Sequence, residues 1–308
     1  MRSALCVLGF FVGSGFCAWA AADTDPTGFT TVIDFPSDPA PSQINSDTQL
    51  NLLGGVLGDF FFAGSPAGGD SNVEVNIKGG STGSFFRASE GSTVNLLSGE
   101  IASFFTAGSG STTNIRRGEV GPFFSAEAGS TVNIAGADLF GAMEALPGSE
   151  LNLFGLDFSF GGAPIELAQG ETITLAGRDA LLTGTLVDGS PLELNLVSVD
   201  LPQITDFFSP SATINLTRVL PGDASGDGFV GASDYNAWAA GFGDITDQLG
   251  GADTNYDGRI DAADYTVWRD NLGAGGLPSA TTVPEPSTLA TAAMALAAVA
   301  MGFKQRGS

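Results

Sequence analysis

The sequence predicts a mainly β protein, a β-solenoid of about 19 residues per turn, followed by a small α-helical module. Three observations support this fold class. Asparagines recur every 19 residues (95 − 76 = 19), pairs of phenylalanines keep the same step, and two Asp-rich segments lie 30 residues apart (253 − 223 = 30). The repeated residues are Asn76, Asn95, Asn114, Asn133 and Asn152, with the pairs Phe85-Phe86, Phe104-Phe105 and Phe123-Phe124.

Each repeat contains a short alternating stretch such as Thr93-Val94-Asn95-Leu96. Alternation with a period of two is typical of a half-buried strand, and a 19-residue unit fits one turn of a solenoid in which each strand pairs with its copy in the next turn. Val94 and Leu96 are expected to face the core, whereas Thr93 and Asn95 are expected to face outward or to lie at a corner. An earlier copy at Asn51 is offset by 25 residues (76 − 51), which predicts an insertion of six residues (25 − 19).

The paired phenylalanines leave two arrangements open. One ring of each pair can fill the core while the other forms an outward row such as Phe86, Phe105 and Phe124, or a corner can bury both rings. We place the solenoid at residues 45–220, and we expect residues 162–220 to form further rungs and a terminal cap. The repeat region resembles the short-repeat β-helix segments of bacterial surface and secreted proteins.

Composition excludes several classes of function. The chain has 308 residues, a net charge of −23 and only 11 Lys and Arg, so no basic patch for nucleic acid is expected. Histidine is absent, and both cysteines lie within residues 1–22. Without these residues in the rest of the chain, Ser-His-Asp and Cys-His catalysis, disulfides and ordinary zinc sites are all excluded there.

Carboxylate catalysis stays open as an alternative, because large β-helix proteins include polysaccharide lyases and glycosidases. Glu100 and Glu119 are one period apart, and such a pair on neighbouring rungs has the spacing of a retaining glycosidase. The simpler interpretation is a surface ladder that Arg116 and Arg117 neutralise. The nearly minimal turns leave little room for a cleft, so we predict a non-catalytic protein, with a carbohydrate-active enzyme or polysaccharide-binding protein as the alternative.

The Asp-rich segments match a calcium-binding loop. Calcium takes six to eight oxygen ligands, and a 12-residue loop supplies them from positions 1, 3, 5, 7, 9 and 12, with glycine at position 6. Position 7 contributes its backbone carbonyl, so its side chain need not be acidic. The predicted ligands of two calcium ions are Asp223, Ser225, Asp227, Phe229 and Asp234 in the first loop and Asp253, Asn255, Asp257, Arg259, Asp261 and Asp264 in the second.

The second loop carries more oxygen ligands and more negative charge, which predicts tighter binding there. Apolar Val230 and Ile260 at position 8 predict a short β bridge between the two loops. Glycine and proline before each loop disfavour an entering helix, while a helix is expected to leave each loop. Residues 221–272 therefore resemble a type I dockerin, and this resemblance implies paired half-EF-hands, folding on calcium and docking onto a cohesin-like partner.

Both ends of the chain carry export signals. In residues 1–22, Arg2, the apolar stretch 4–12 and a small-residue cleavage site predict a signal peptide, and residues 23–44 form a lead-in. After a linker at 273–282, residues 283–308 combine a Pro-Glu-Pro motif, an apolar run and a basic end. This tail resembles the PEP-CTERM sorting signal, which implies contact with a membrane, processing by an exosortase-type enzyme and a location at the outer surface or in a polysaccharide-containing matrix. A simple membrane anchor is the alternative.

Overall fold

A computed structural model describes residues 28–38, 40–199, 206–246 and 250–276. Its strands follow in chain order: β1 Thr31–Phe35, β2 Gln43–Ile44, β3 Thr48–Leu52, β4 Phe62–Ala63, β5 Val73–Ser81, β6 Arg87–Ala88, β7 Ser92–Ile101, β8 Thr106–Ala107, β9 Thr112–Ile115, β10 Glu119–Val120, β11 Phe124–Ala126, β12 Thr131–Ile134, β13 Asp138–Leu139, β14 Met143–Ala145, β15 Glu150–Phe160, β16 Ala163–Pro164, β17 Thr172–Thr174, β18 Leu181–Leu186, β19 Pro191–Asn195, β20 Phe207–Phe208 and β21 Thr213–Arg218. Two helices follow, α1 Ala232–Gly241 and α2 Ala262–Asp270.

The strands form a β-solenoid with two parallel faces. The larger sheet runs β1-β3-β5-β7-β9-β12-β15, with β21 also parallel to β15, and the smaller sheet runs β2-β4-β6-β8-β11-β14-β20. Each repeated turn contributes a strand to each face, and the turns that contain β9 and β12 add the short strands β10 and β13, which pair in parallel with each other, β10 also pairing with the end of β7. The repeated asparagines are direct partners in the ladder, as Asn76↔Asn95 and Asn95↔Asn114 illustrate. The predicted solenoid with a 19-residue turn is therefore confirmed.

The solenoid starts earlier than predicted, and its last part is arranged differently from the prediction. At the start, β1 lies within the expected lead-in but already pairs in parallel with β3. At the other end, the long strand β15 serves two structures: its first half continues the parallel ladder to β21, and its second half pairs antiparallel with β18, which in turn pairs with β19. This stretch therefore holds one further rung and an antiparallel cap, with the cap first in the chain, whereas the sequence predicted several rungs followed by a cap. Asp188-Gly189, a typical hairpin turn, is the sequence signal for it.

The core is a stack of apolar rows. Val94 and Leu96 are buried and face inward, as expected, and equivalent residues of neighbouring turns lie above and below them. Parallel strands repeat at about 4.8 Å, so each inward position becomes a continuous apolar row along the solenoid.

The two phenylalanines of each pair have opposite environments. The second rings form a buried row, Phe61, Phe86, Phe105 and Phe124, with centroids 5.0–5.3 Å apart. The first rings form an outward stack, Phe60, Phe85, Phe104 and Phe123, with centroids 4.6–4.8 Å apart. An outward row at Phe86, Phe105 and Phe124 is therefore wrong. The first phenylalanine of each pair turns the corner in the left-handed region, with φ between +59° and +66°, and this turn directs the second ring into the core.

The outward asparagines form a continuous amide ladder. Each Nδ2 donates to the Oδ1 of the preceding asparagine at 2.8–3.2 Å, from Asn215 to Asn51. The last amide, Asn51, donates to Asp34 at 2.9 Å. The amides therefore satisfy one another rather than offering a hydrogen-bonding array to a ligand.

Replacing Phe105 with alanine is expected to lower the free energy of unfolding by about 3–5 kcal/mol, because the ring is buried and leaves a cavity. The matched variant Phe104→Ala removes an outward ring that is 41% exposed and makes two stacked pairs, and we expect a smaller loss of about 1–3 kcal/mol. Chemical denaturation followed by circular dichroism compares the two. Equal losses would contradict the assignment of inner and outer rings.

Replacing Asn114 with alanine is expected to cost about 2–3 kcal/mol of unfolding free energy. The change leaves the Asn95 oxygen without a donor and the Asn133 amide without an acceptor at a position that is 3% exposed. Thr131→Ala, on the same sheet face, is the control and should cost less than about 1 kcal/mol. The same denaturation measurement checks both variants, and equal effects would show that the ladder contributes little.

Candidate metal centre

Two loop–helix units follow the solenoid and repeat the same local structure. In each, the aspartate at loop position 12 lies in the first turn of the helix and accepts the backbone N–H of the N-cap residue. Asp234 accepts from Gly231 at 2.6 Å and Asp264 accepts from Asp261 at 2.8 Å. A carboxylate at this position compensates the unpaired N–H groups of the helix start. The helices α1 and α2 begin at Ala232 and Ala262, so the prediction that a helix leaves each loop is confirmed, and within the described residues no helix leads directly into either loop.

The first loop gathers its acidic side chains around one point. Carboxylate oxygens of Asp223, Asp227 and Asp234 lie within 4.8 Å of one another. Asp223 accepts N–H groups from Gly226 and Gly228 at 2.8 Å each, so the loop backbone wraps around this side chain. The other two carboxylates also accept backbone N–H groups of the loop, so these hydrogen bonds hold the three close together in spite of their mutual repulsion.

The electrostatics of this loop are those of a site that lacks positive charge. Burial raises the pKa of Asp223, and the nearby Asp234 raises it further. Burial also acts to raise the pKa of Asp234. The hydrogen bonds from the N–H groups of Gly231 and Ser225 outweigh this effect, so its pKa lies below the ordinary value. The described ion pairs do not reach these three carboxylates. Clustered carboxylates without a counter-charge favour the binding of a cation.

The donor set of the first loop fits calcium. Its predicted ligands are carboxylates, a hydroxyl and a backbone carbonyl, all hard oxygen donors of the type that calcium prefers. Ser225 lies at the cluster, since its hydroxyl is 3.5 Å from Asp223 Oδ1 and 3.4 Å from the hydroxyl of Ser233. Bound there, calcium would supply the positive charge that the three carboxylates need.

The second loop has a similar backbone but uses its side chains differently. Asp253 accepts N–H groups from Asp257 at 3.0 Å and Gly258 at 2.9 Å, as its counterpart does in the first loop. Asn255 donates its amide to Asp257 at 2.9 Å. Asp261, a predicted ligand, caps α2 by accepting the N–H of Ala263 at 2.7 Å. Among the described residues, the second loop does not bring three carboxylates together as the first loop does.

A basic side chain of the solenoid enters the second loop. Arg116, directly after β9, donates through Nη1 to Asp253 Oδ2 at 2.8 Å, and the two side chains are 1% and 0% exposed. Arg117 donates to the carbonyl of Asn255 at 3.0 Å. Burial raises the pKa of Asp253 to about 6, while Arg116 opposes this shift. The expectation that both arginines serve the solenoid ladder is wrong, and the 137-residue separation of Arg116 from Asp253 explains why sequence reasoning missed the contact.

The two units are tied to each other reciprocally. The Nε1 of Trp238 donates to the carbonyl of Asp261 and that of Trp268 to the carbonyl of Gly231, both at 2.7 Å. Each tryptophan therefore holds the start of the other helix. The predicted bridge between loops is wrong: Val230 pairs with the chain after α2 and Ile260 with the chain after α1. Both side chains are buried there, which explains their apolar character.

The candidate catalytic pair lies on the solenoid as expected. Glu119 is the ladder partner of Glu100 on one side and of Asp138 on the other. The stacking of the two glutamates on neighbouring rungs is thus confirmed, whereas a catalytic role for them stays a hypothesis.

Comparison with protein-family models, with curated proteins and with solved structures gave no match. The fold and site therefore define the class of this protein by themselves: a short-repeat β-solenoid that carries two acidic loop–helix units. Within the described residues, no helix is long and apolar enough to cross a membrane. The predicted signal peptide at 1–22 and sorting tail at 283–308 lie outside the described residues and stay predictions.

Proposed function

We propose that this protein is an exported, calcium-binding component of a cell surface or extracellular matrix, without catalytic activity. The solenoid serves as a rod, and the two loop–helix units form a dockerin-like docking module. The observation that carries the proposal is the first loop, in which three carboxylates lie within 4.8 Å of one another on a 12-residue pattern that the chain repeats. Calcium, the cation that this pattern suits, is abundant outside the cytoplasm.

The proposed partner is a cohesin-like protein, and the proposed surroundings contain extracellular polysaccharide. The predicted export signals at both ends of the sequence support this location, and the predicted sorting tail supports processing by an exosortase-type enzyme. The helices support a docking role, because Tyr235 and Phe242 are exposed and belong to an aromatic cluster that joins both helices. Exposed aromatic residues are typical of protein interfaces.

Isothermal titration of the full chain with calcium is expected to show two bound ions. Asp227→Ala should remove one binding event, because it removes one of the three clustered carboxylates. Asp227 is exposed, so its loss should leave the core intact. Asp244→Ala changes the net charge equally at an exposed position outside the loops, and it should retain both events. Titration heats no larger than those of dilution would refute calcium binding.

Removal of calcium with EDTA is expected to shift the emission of Trp238 and Trp268 to longer wavelength. Both indoles hold the start of a helix through a hydrogen bond, so loss of the metal should loosen their surroundings. Fluorescence spectra with calcium, with EDTA and after calcium is restored provide the measurement. A spectrum that EDTA leaves unchanged would contradict calcium-dependent folding of the module.

A further inference from the structure

The second loop is packed directly against the solenoid. Arg116 bonds to Asp253 and also donates through Nη2 to the carbonyl of Thr246 at 3.1 Å. The contact is close at Gly258, where a Cβ atom would lie 3.2 Å from Nη1 of Arg116 and 3.3 Å from Leu97 Cδ2. The glycine that the loop pattern requires at position 6 is thus also the point where the rod and the module meet.

The charges on the two sides of this contact are complementary. Between residues 31 and 220 the chain has six basic residues, Lys78, Arg87, Arg116, Arg117, Arg178 and Arg218. Three of the six face the second loop: the two arginines through hydrogen bonds, and Lys78 across a cleft of about 240 Å³ that Asp257 and Arg259 also line. Half of the basic residues between 31 and 220 therefore face this one loop, although the chain has a net charge of −23.

Arg116 leaves the second loop less negative than the first. The first loop has three acidic ligands, Asp223, Asp227 and Asp234, for a formal charge of −3. The second has four, for −4, but its own Arg259 and the guanidinium of Arg116 bring the sum to −2 (−4 + 1 + 1). One of those four, Asp261, already caps a helix. The pair is buried, where charges interact more strongly than in water.

We propose that the guanidinium of Arg116 takes the place of a bound cation beside Asp253. Calcium binding at the second loop therefore competes with packing of this loop against the solenoid. The inference rests on the proposed calcium-binding function and reverses the order expected from sequence: the first loop fills first. Because coupling between two binding events is reciprocal, calcium in the second loop weakens the hold of the module on the rod, and a docked module weakens calcium binding.

A calcium titration of the full chain, followed through the backbone amide resonances of Gly228 and Gly258, tests this order. Each of these glycines donates its N–H to the first aspartate of its own loop, so each resonance reports one loop. In the unmodified protein the Gly228 resonance is expected to reach half-saturation at the lower calcium concentration. The opposite order overturns the proposal without any variant being needed.

Arg116→Gln is expected to lower the calcium concentration that half-saturates the second loop about tenfold, equivalent to about 1.4 kcal/mol, and to leave the first loop unchanged. Arg87→Gln is the matched control, because it removes one positive charge of the rod that pairs with Glu127 instead. It should change neither loop. Arg116→Lys keeps the positive charge beside Asp253, and its second loop should bind within about threefold of the unmodified protein.

The outcomes separate the two proposals. If both glycine resonances respond but Arg116→Gln behaves as Arg87→Gln does, or binds calcium more weakly, the competition is refuted while calcium binding stands. If Arg116→Lys tightens binding as much as Arg116→Gln, the charge of Arg116 is not the cause and the inference also fails. If neither resonance responds in any variant, both the calcium function and the competition are refuted.

Discussion

The parallel register of the larger sheet is the constraint on which the rest of the structure depends. Strands repeat at about 4.8 Å, and a slip of one residue would exchange the inward and outward side chains of a whole strand. The asparagine ladder opposes such a slip, since each amide is bonded to its equivalents in the turns before and after. Two interactions therefore stabilise the correct register: apolar burial inside the solenoid and a chain of side-chain hydrogen bonds on its outer face.

The outward phenylalanines are a consequence of the same register. Their centroid spacing of 4.6–4.8 Å equals the strand spacing, and neighbouring rings are inclined by only 4–17°. Each of these phenylalanines has a left-handed backbone conformation, which costs about 1–2 kcal/mol for a residue other than glycine. Stacking of the rings offsets part of this cost by about 0.5–1.5 kcal/mol per pair. Because stacked rings cover each other's faces, this row presents ring edges. A sugar that stacks on an aromatic face would find such faces only at the two ends of the row, which argues against the row as a polysaccharide platform.

Sequence reasoning predicted what local periodicity encodes. The 19-residue step gave the turn and the inward positions of Val94 and Leu96, and the loop pattern gave the starts of both helices. It failed to predict features that depend on contacts between residues distant in the chain, or on backbone angles that the residue type does not favour. Phenylalanine has no preference for positive φ, so the direction of each pair was open. The antiparallel cap depends on pairing between β15 and β18, and Arg116 meets Asp253 only because the module folds back onto the rod.

That last contact changes how the two halves of the protein should be understood. A rod and a docking module joined by a flexible connection would act independently, but a buried ion pair couples them, because breaking such a pair leaves an uncompensated charge in the interface. Under the proposed calcium function, one carboxylate, that of Asp253, would serve two cations: the guanidinium of Arg116 when the loop is packed on the solenoid, and calcium when the second loop binds it. Among the described ion pairs, none reaches the carboxylates of the first loop. The proposal therefore predicts that a single residue of the solenoid makes two loops of similar sequence bind calcium differently.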